Sequence, residues 1–90
     1  MPYMNVNVSV FSTEVCPKCK RLKEFLRSQG IDFSAKSMES AEGMAELFAA
    51  GVFEFNAPVL QINANYLNSK QLFNGTELNK ELILNSMKVV

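Results

Sequence analysis

The chain has 90 residues, 48% of them apolar, and its nine Lys and Arg side chains balance nine Asp and Glu side chains. This length and composition predict one globular domain and exclude a fibrous or disordered chain. The balanced charge argues against nucleic acid and anionic membranes as partners, because both attract clusters of uncompensated Lys and Arg. No apolar run approaches the roughly 20 residues that span a bilayer, and no basic leader precedes the first strand, so we expect a cytoplasmic protein.

Two periodicities of apolar residues predict the elements. Strands show alternation, and helices show apolar residues three and four positions apart. Gly30 and Gly51 are expected to end the first two helices, and Ser40 is expected to cap the second. In chain order we predict a strand over 6–11, a helix over 17–29, a strand over 31–38, a helix between Ser40 and Gly51, a strand over 58–62, a strand over 66–73, and a last helix capped within Asn74-Gly75-Thr76-Glu77.

The resulting order, β-α-β-α-β-β-α, predicts an α/β protein. Two strands joined through a helix should lie parallel, whereas the two strands separated by the short turn at Asn63-Ala64-Asn65 should form an antiparallel hairpin. Helices can then cover both faces of a four-stranded mixed sheet.

The only two cysteines, Cys16 and Cys19, are separated by two residues. Small secreted domains instead carry several widely spaced pairs. A bond between neighbours this close would restrict little of the unfolded chain, so stabilisation explains the pair poorly. We therefore expect the pair to have a chemical use.

Cys16 falls where the first strand gives way to the first helix, just before Pro17, a residue favoured in the first helical turn. A sulfur at a helix N-terminus faces unpaired amides and the positive end of the helix dipole, which stabilise its thiolate. Lys18 could add to this effect or could point into solvent.

Cys19 lies one helical turn after Cys16, so the two sulfurs should share a face at a distance that a disulfide can bridge. The expected reaction is attack by the Cys16 thiolate on a substrate disulfide, followed by attack of Cys19 on the Cys16 sulfur. A zinc or iron-sulfur site is the alternative, because C-x-x-C is half of a four-cysteine set. The chain has no histidine and no second pair, so only a dimer could complete such a site, and we predict no metal site within one chain.

Three motifs in this order resemble those of the glutaredoxins, and the likeness covers nearly the whole chain. They are Val10-Phe11-Ser12-Thr13 running into Cys16-Pro17-Lys18-Cys19, then Asn56-Ala57-Pro58-Val59, then Asn74-Gly75-Thr76-Glu77. The resemblance implies a single glutaredoxin-like domain over residues 1–90 with the thioredoxin fold, a four-stranded mixed sheet flanked by three helices. It also implies thiol-disulfide oxidoreductase activity without a cofactor.

The resemblance also implies a substrate groove. Pro58 should be a cis-proline facing the cysteines, with the backbone of Ala57 pairing with the substrate as a short added strand; a trans proline starting an edge strand is the alternative. The amides at Gly75, Thr76 and Glu77 could hold a carboxylate at the start of the last helix, although the Glu77 side chain would repel it. The predicted substrate-binding residues are Pro17, Lys18, Ala57, Pro58, Gly75 and Thr76.

The chain departs from the glutathione-dependent pattern, which often has a Lys before the first cysteine and an aromatic residue between the cysteines. Thr13 and Lys18 stand at those positions. Ala57-Pro58-Val59 and the single Gly75 are more similar to glutaredoxin-like proteins that take electrons from thioredoxin reductase or a related flavoprotein and reduce ribonucleotide reductase. We therefore expect a monomer with a flavoprotein disulfide reductase as donor and a protein disulfide, such as that of ribonucleotide reductase, as target. Glutathione is the alternative donor.

Two further surface features are singled out by the sequence. Lys18, Lys20, Arg21 and Lys23 could form a basic patch that steers an acidic protein partner or the carboxylates of glutathione, or they could be a solvated helix face. Phe53 and Phe55 could form an apolar docking rim beside Ala57-Pro58, or they could belong to the core.

Overall fold

The computed structural model describes residues 7–54 and 56–87, so the predictions for Val6 and Phe55 lie outside the described residues. The elements are β1 (Val8–Ser12), α1 (Pro17–Ser28), β2 (Ser34–Ser37), α2 (Ala41–Ala49), β3 (Val59–Ile62), β4 (Asn65–Leu67), α3 (Ser69–Leu72), β5 (Phe73–Asn74), β6 (Glu77–Leu78) and α4 (Lys80–Met87). Within those ranges, no helix is long and apolar enough to cross a membrane.

The main sheet has four strands in the order β2-β1-β3-β4. Strand β1 runs parallel to β2, which α1 connects to it, and antiparallel to β3; the β3–β4 hairpin is antiparallel. At the centre of the sheet, Val10 lies opposite Ala35 on one side and Leu60 on the other. The predicted α/β class and mixed sheet are confirmed.

Helices cover both faces of this sheet because β1 is buried on both. Val10 belongs to the larger core cluster, together with Leu22 of α1 and Ile83 of α4. The next residue along β1, Phe11, points to the opposite face and packs in the smaller cluster with Leu47 of α2. Central strands covered on both sides lose the polar alternation of half-exposed strands, which is why β1 ends as a continuous buried run.

The first two helices end as predicted. Gly30 follows α1 with φ of 70°, and Gly51 follows α2 with φ of 79°. In each case the residue after the glycine closes the helix end with a local amide hydrogen bond, from Ile31 to the Leu26 carbonyl at 2.9 Å and from Val52 to the Leu47 carbonyl at 2.8 Å. The Ser40 side chain caps α2 by accepting the Gly43 amide.

The predictions for the last third of the chain were partly wrong. Instead of one strand over 66–73, the chain forms β4, the one-turn helix α3 and then β5. The cause is a capping box: the Asn68 side chain accepts the Gln71 amide at 3.0 Å, and the Gln71 side chain accepts the Asn68 amide at 2.9 Å.

Thr76 is not the cap of the last helix, which was also a wrong prediction. Gly75 and Thr76 form the two-residue loop of the β5–β6 hairpin, with Gly75 at a φ of 67°. Helix α4 starts only at Lys80, and the Asn79 side chain accepts the Leu82 amide at 3.2 Å. The four residues Asn74 to Glu77 therefore make a turn, as predicted, but not a helix start.

Candidate active site

The cysteine pair lies at the N-terminus of α1, as the sequence predicts. Cys16 is the N-cap residue in an extended conformation, and Pro17 follows at the first helical position. The two cysteines form a disulfide with their Cα atoms 5.2 Å apart. The Cys16 sulfur also accepts the backbone amide of Cys19, at 3.1 Å between N and S. Because both cysteines lie within one helical turn, that turn holds the disulfide in place and puts the Cys16 sulfur at the positive end of the helix dipole.

The two sulfur-bearing residues differ in exposure. Cys16 is half-buried, whereas Cys19 is only 3% exposed and packs inside the protein. An external disulfide can therefore approach Cys16, but it cannot approach Cys19 without passing Cys16 or displacing core side chains. The arrangement suits a reaction in which the Cys16 sulfur bonds to the substrate and the buried Cys19 sulfur then attacks Cys16.

The segment before β3 lies beside Cys16. The Ala57–Pro58 peptide bond is cis, as the resemblance implies. Pro58 is fully buried, whereas Ala57 is half-buried and lines the same open groove as Cys16. Ala57 and the exposed Asn56 before it are therefore the parts of this segment that a substrate in the groove can meet.

We call this groove of about 690 Å³ the Cys16 groove. Its described lining consists of Thr13, Val15, Cys16, Pro17, Lys18, Arg21, Asn56, Ala57, Ser69, Lys70 and Thr76. The structure thus brings together Cys16 and four of the predicted substrate-binding residues, which are Pro17, Lys18, Ala57 and Thr76. The other two predicted substrate-binding residues, Pro58 and Gly75, are described by the structure but do not belong to this lining.

Cations line the Cys16 groove from two sides. Lys18 and Arg21 come from α1, and Lys70 comes from α3. The Arg21 guanidinium donates to the Thr76 carbonyl at 2.6 Å, and the Lys18 ammonium lies 5.5 Å from the centre of the Phe73 ring. The Thr76 carbonyl is therefore occupied. The predicted position at a helix N-terminus is wrong, because α4 begins at Lys80 and the amides of Gly75 and Thr76 lie in a hairpin loop.

The predicted basic patch of four side chains is divided. Lys23 turns away and donates to the Ser12 hydroxyl at 3.2 Å. Both residues line a second groove of about 530 Å³, the Lys23 groove, which also contains Glu14 and Glu39. Lys20 is exposed and outside the described lining of either groove. Of the patch, only Lys18 and Arg21 remain beside Cys16.

Sequence reasoning missed Lys70, because it lay within a predicted strand. The signal that could have placed it is the Asn68 and Gln71 pair, the N-cap and N3 residues of a capping box. Val15 was also missed; it is 88% exposed in the loop just before Cys16. Phe53 belongs to the surface and not to the core, at 70% exposed, and its ring packs 5.4 Å from that of Phe48.

Metal ligands are not grouped in the part of the chain that the structure describes. No cluster of three or more His, Cys, Asp or Glu side chains occurs within residues 7–54 and 56–87. Within those residues, Cys16 and Cys19 have no third ligand of these types beside them.

Comparisons with known proteins agree on the kind of protein this is. The family model described as Glutaredoxin matches residues 8–66, well over half of the chain. An uncharacterised glutaredoxin-like 8.6 kDa protein in a rubredoxin operon of Clostridium pasteurianum is 34% identical over 77 residues, which cover 81% of this chain and 93% of that protein.

Solved structures show the same fold at lower identity. A variant of a thioredoxin-like protein superposes with a TM-score of 0.70 at 16% identity, covering 91% of this chain and 100% of that one. Glutaredoxin 1 from Francisella tularensis, in complex with cacodylate, gives 0.61 at 17% identity and covers 89% and 98%. A glutaredoxin from Archaeoglobus fulgidus gives 0.55 at 22% identity and covers 72% and 76%. These similarities establish the thioredoxin-like fold.

Proposed function

The chain belongs to the glutaredoxin family, and we propose that it is a dithiol electron carrier that reduces disulfide bonds in other proteins. The observation that carries this proposal is the unequal exposure of one disulfide: Cys16 opens into the Cys16 groove, and Cys19 is buried behind it. A structural disulfide gains nothing from having one sulfur at a groove. A redox pair needs one accessible and one protected sulfur.

The proposed reaction transfers two electrons. The Cys16 thiolate attacks one sulfur of the target disulfide, forming a mixed disulfide, and the other target sulfur leaves as a thiolate and takes up a proton. Cys19 loses its proton and attacks the Cys16 sulfur, which releases the second target sulfur as a thiolate that is protonated in turn. The target is reduced to a dithiol, and the protein is oxidised to the Cys16–Cys19 disulfide.

The neighbouring residues have proposed roles in holding the target. The backbone of Ala57 pairs with an extended segment of the substrate, and the buried Pro58 fixes the position of that backbone. Pro17, Lys18 and Thr76 contact the substrate from the other walls of the Cys16 groove. Gly75 acts indirectly, by forming the hairpin loop that carries Thr76.

We propose a flavoprotein disulfide reductase as the electron donor and a protein disulfide, such as that of ribonucleotide reductase, as the target. The sequence departures at Thr13 and Lys18 support this choice over glutathione. A monomer in the cytoplasm, where thiols are kept reduced, fits this role.

The experiment offers the oxidised protein two reducing systems in parallel: NADPH with thioredoxin reductase, and NADPH with glutathione reductase and glutathione. Insulin disulfides serve as the terminal acceptor. We expect the first system to drive insulin reduction and the second to be much slower. If the protein reduced beforehand with dithiothreitol leaves insulin disulfides intact, the proposed carrier function is wrong.

Glutathione remains the second candidate donor because one observation favours it. The cations of the Cys16 groove could hold the carboxylates of that tripeptide. Faster reduction by the glutathione system would establish this reading and would refute the flavoprotein choice, while the carrier function itself would stand.

A further inference from the structure

The charges around the Cys16 groove are distributed unevenly. The whole chain is neutral by formal charge. Yet the described lining of this groove includes Lys18, Arg21 and Lys70 and no Asp or Glu side chain. Acidic residues near this region line other grooves. Glu14 and Glu39 line the Lys23 groove, where the Glu14 amide donates to the Glu39 carboxylate at 2.6 Å. Glu24 and Glu77 line a separate groove, which shares Arg21 and Thr76 with the Cys16 groove. The reactive sulfur therefore lies on the cationic side of the loop.

Helix α3 fixes the backbone position of the third cation of this groove, Lys70. The reciprocal bonds between Asn68 and Gln71 hold the single turn, and the fully buried Leu72 anchors it in the core. Lys70 lies on the exposed side of that turn. The groove thus has cations on α1 and on α3, with Cys16 and Ala57 lining it as well.

The same segment also positions the two cations of α1. Phe73, which follows α3 directly, lies beneath the Lys18 ammonium, and Thr76 accepts a hydrogen bond from Arg21. These contacts hold both side chains against the α3–β5–β6 segment. A groove with prearranged cations loses less side-chain freedom on binding an anion than one with free lysines does.

From this arrangement, and given the proposed carrier function, we infer that the Cys16 groove selects disulfides flanked by acidic residues in an extended protein segment. The occupant is a protein segment because Ala57 lines the groove, and the proposed function has its backbone pair with an extended segment of the target. Its acidic character follows from charge complementarity with Lys18, Arg21 and Lys70. Lys70 is then a specificity-determining residue, one that acts on the choice of target and not on the exchange of sulfurs.

The test uses three synthetic peptides, each closed by one disulfide and identical except for flanking residues that are glutamate, glutamine or lysine. The protein is reduced beforehand, freed of reductant and mixed with each peptide in a stopped-flow instrument, so that no donor enters the measurement. We expect the acidic peptide to be reduced about 5- to 10-fold faster than the neutral one at low ionic strength, and the lysine peptide to be slowest. The advantage should nearly vanish at about 1 M salt, where charges are screened within roughly 3 Å.

Two variants with the same charge change distinguish the effect of a cation in the Cys16 groove from the effect of the protein's net charge. Lys70→Gln should lower the ratio of the acidic to the neutral rate by about 2- to 5-fold, the range of an exposed ion pair. Lys20→Gln, which removes a charge from the exposed surface of α1 outside the groove lining, should leave that ratio nearly unchanged. A circular dichroism spectrum of each variant verifies that the fold is retained.

Three outcomes would overturn the inference: equal rates for the three peptides, equal effects of the two substitutions, or reduction of glutathione disulfide that outpaces the acidic peptide and is the rate most lowered by Lys70→Gln. The last would make glutathione the occupant. Failure of the carrier function looks different, because then none of the peptides is reduced at all.

Discussion

Cys16 takes a position in the helix that Ser, Thr, Asp or Asn usually occupies. Its sulfur performs the capping, by accepting the Cys19 amide at 3.1 Å, while its carbonyl accepts the Lys20 amide. When the disulfide opens, the same amide and the helix dipole are already placed to stabilise a thiolate. One residue therefore serves as helix cap and as the proposed nucleophile, and no separate base has to generate its reactive form.

This dual role predicts the pH dependence of Cys16. In a Cys19→Ser protein, Cys16 is the only thiol. We expect its rate of alkylation by iodoacetamide to rise with pH and to reach half its maximum below about pH 8.5, the ordinary midpoint of a free cysteine. The thiol of Cys19 in a Cys16→Ser protein is the control and should react much more slowly, because it is buried. A Cys16 midpoint at or above that of free cysteine would contradict the capping argument.

The unequal exposure of the two sulfurs predicts opposite failures for the two single variants. Cys16→Ser should reduce insulin at the background rate, because the buried Cys19 cannot meet the substrate. Cys19→Ser should attack but not resolve, and should accumulate a mixed disulfide with the substrate. Mass spectrometry under non-reducing conditions measures this adduct. If both variants, or neither, trapped the substrate, the assigned order of attack would be wrong.

At the scale of elements, helix α2 packs unusually close to β2 through Gly43. A Cβ atom at Gly43 would overlap the backbone carbonyl oxygen of Ser37, and Gly43 is itself buried in the first turn of the helix. Backbone cannot move aside as a side-chain tip can. The position therefore excludes every side chain, although nothing in the helix geometry alone demands glycine there.

The close contact reverses the usual effect of replacing glycine by alanine. In an exposed helix this change stabilises by about 1 kcal/mol. We expect Gly43→Ala to lower the free energy of unfolding by about 1–3 kcal/mol, as overpacked sites do, because α2 must shift away from β2. Urea unfolding measures the change. Ala45→Gly, at an exposed site of the same helix, should cost about 1 kcal/mol and calibrates the propensity effect. A stabilised Gly43→Ala protein would show that the contact is not tight.

Helix α3 offers a second prediction at this scale, because a four-residue helix depends on its capping box. Asn68→Ala should lower the free energy of unfolding by about 1 kcal/mol, the typical value of an N-cap. Gln71→Ala should cost less on its own. The double variant should cost less than the sum, since each substitution removes one half of the same reciprocal pair. Strict additivity in urea unfolding would mean that the two hydrogen bonds are independent.

The sequence predicted those elements whose signals are local and repeated. Helix α1 has an apolar stripe, a proline at its start and a glycine after its end, and α2 has its Ser40 cap, so the first four elements were placed correctly. Strand β2 is shorter than predicted at its start, because the Ile31 amide closes the end of α1 by donating to the Leu26 carbonyl, and at its end only the Met38 amide still bonds to β1, at the Ser12 carbonyl. The prediction for the segment after β4 was wrong, because its three elements of two to four residues are too short to show a hydrophobic period. The cysteines were found by their spacing, whereas Lys70 joins the site only through the tertiary position of α3.

At the scale of the whole molecule, the fold separates the rigid core from the reactive edge. The two core clusters pack on opposite faces of the sheet, with β1 between them. The disulfide, the segment with the cis peptide and the cations come together beyond the end of β1. Each wall of the site comes from a different element but is anchored by a buried neighbour: Leu22 for α1, Val59 for the Ala57 segment and Leu72 for α3. The chemistry therefore takes place on a supported surface and not inside the protein.

This separation predicts a redox cycle without refolding. Both cysteines sit on one helical turn with Cα atoms 5.2 Å apart, so opening the disulfide requires mainly side-chain rotation. We expect amide chemical shifts to change on reduction around Cys16, Ala57 and Thr76, which surround the Cys16 groove, while core amides such as those of Val10 and Leu60 keep theirs. Two-dimensional NMR of the oxidised and reduced protein measures this. The Cys16→Ser protein treated with the same reductant is the control, because it has no disulfide to open. Chemical-shift changes throughout the core would mean that the disulfide strains the fold, and that electron transfer is coupled to a conformational change.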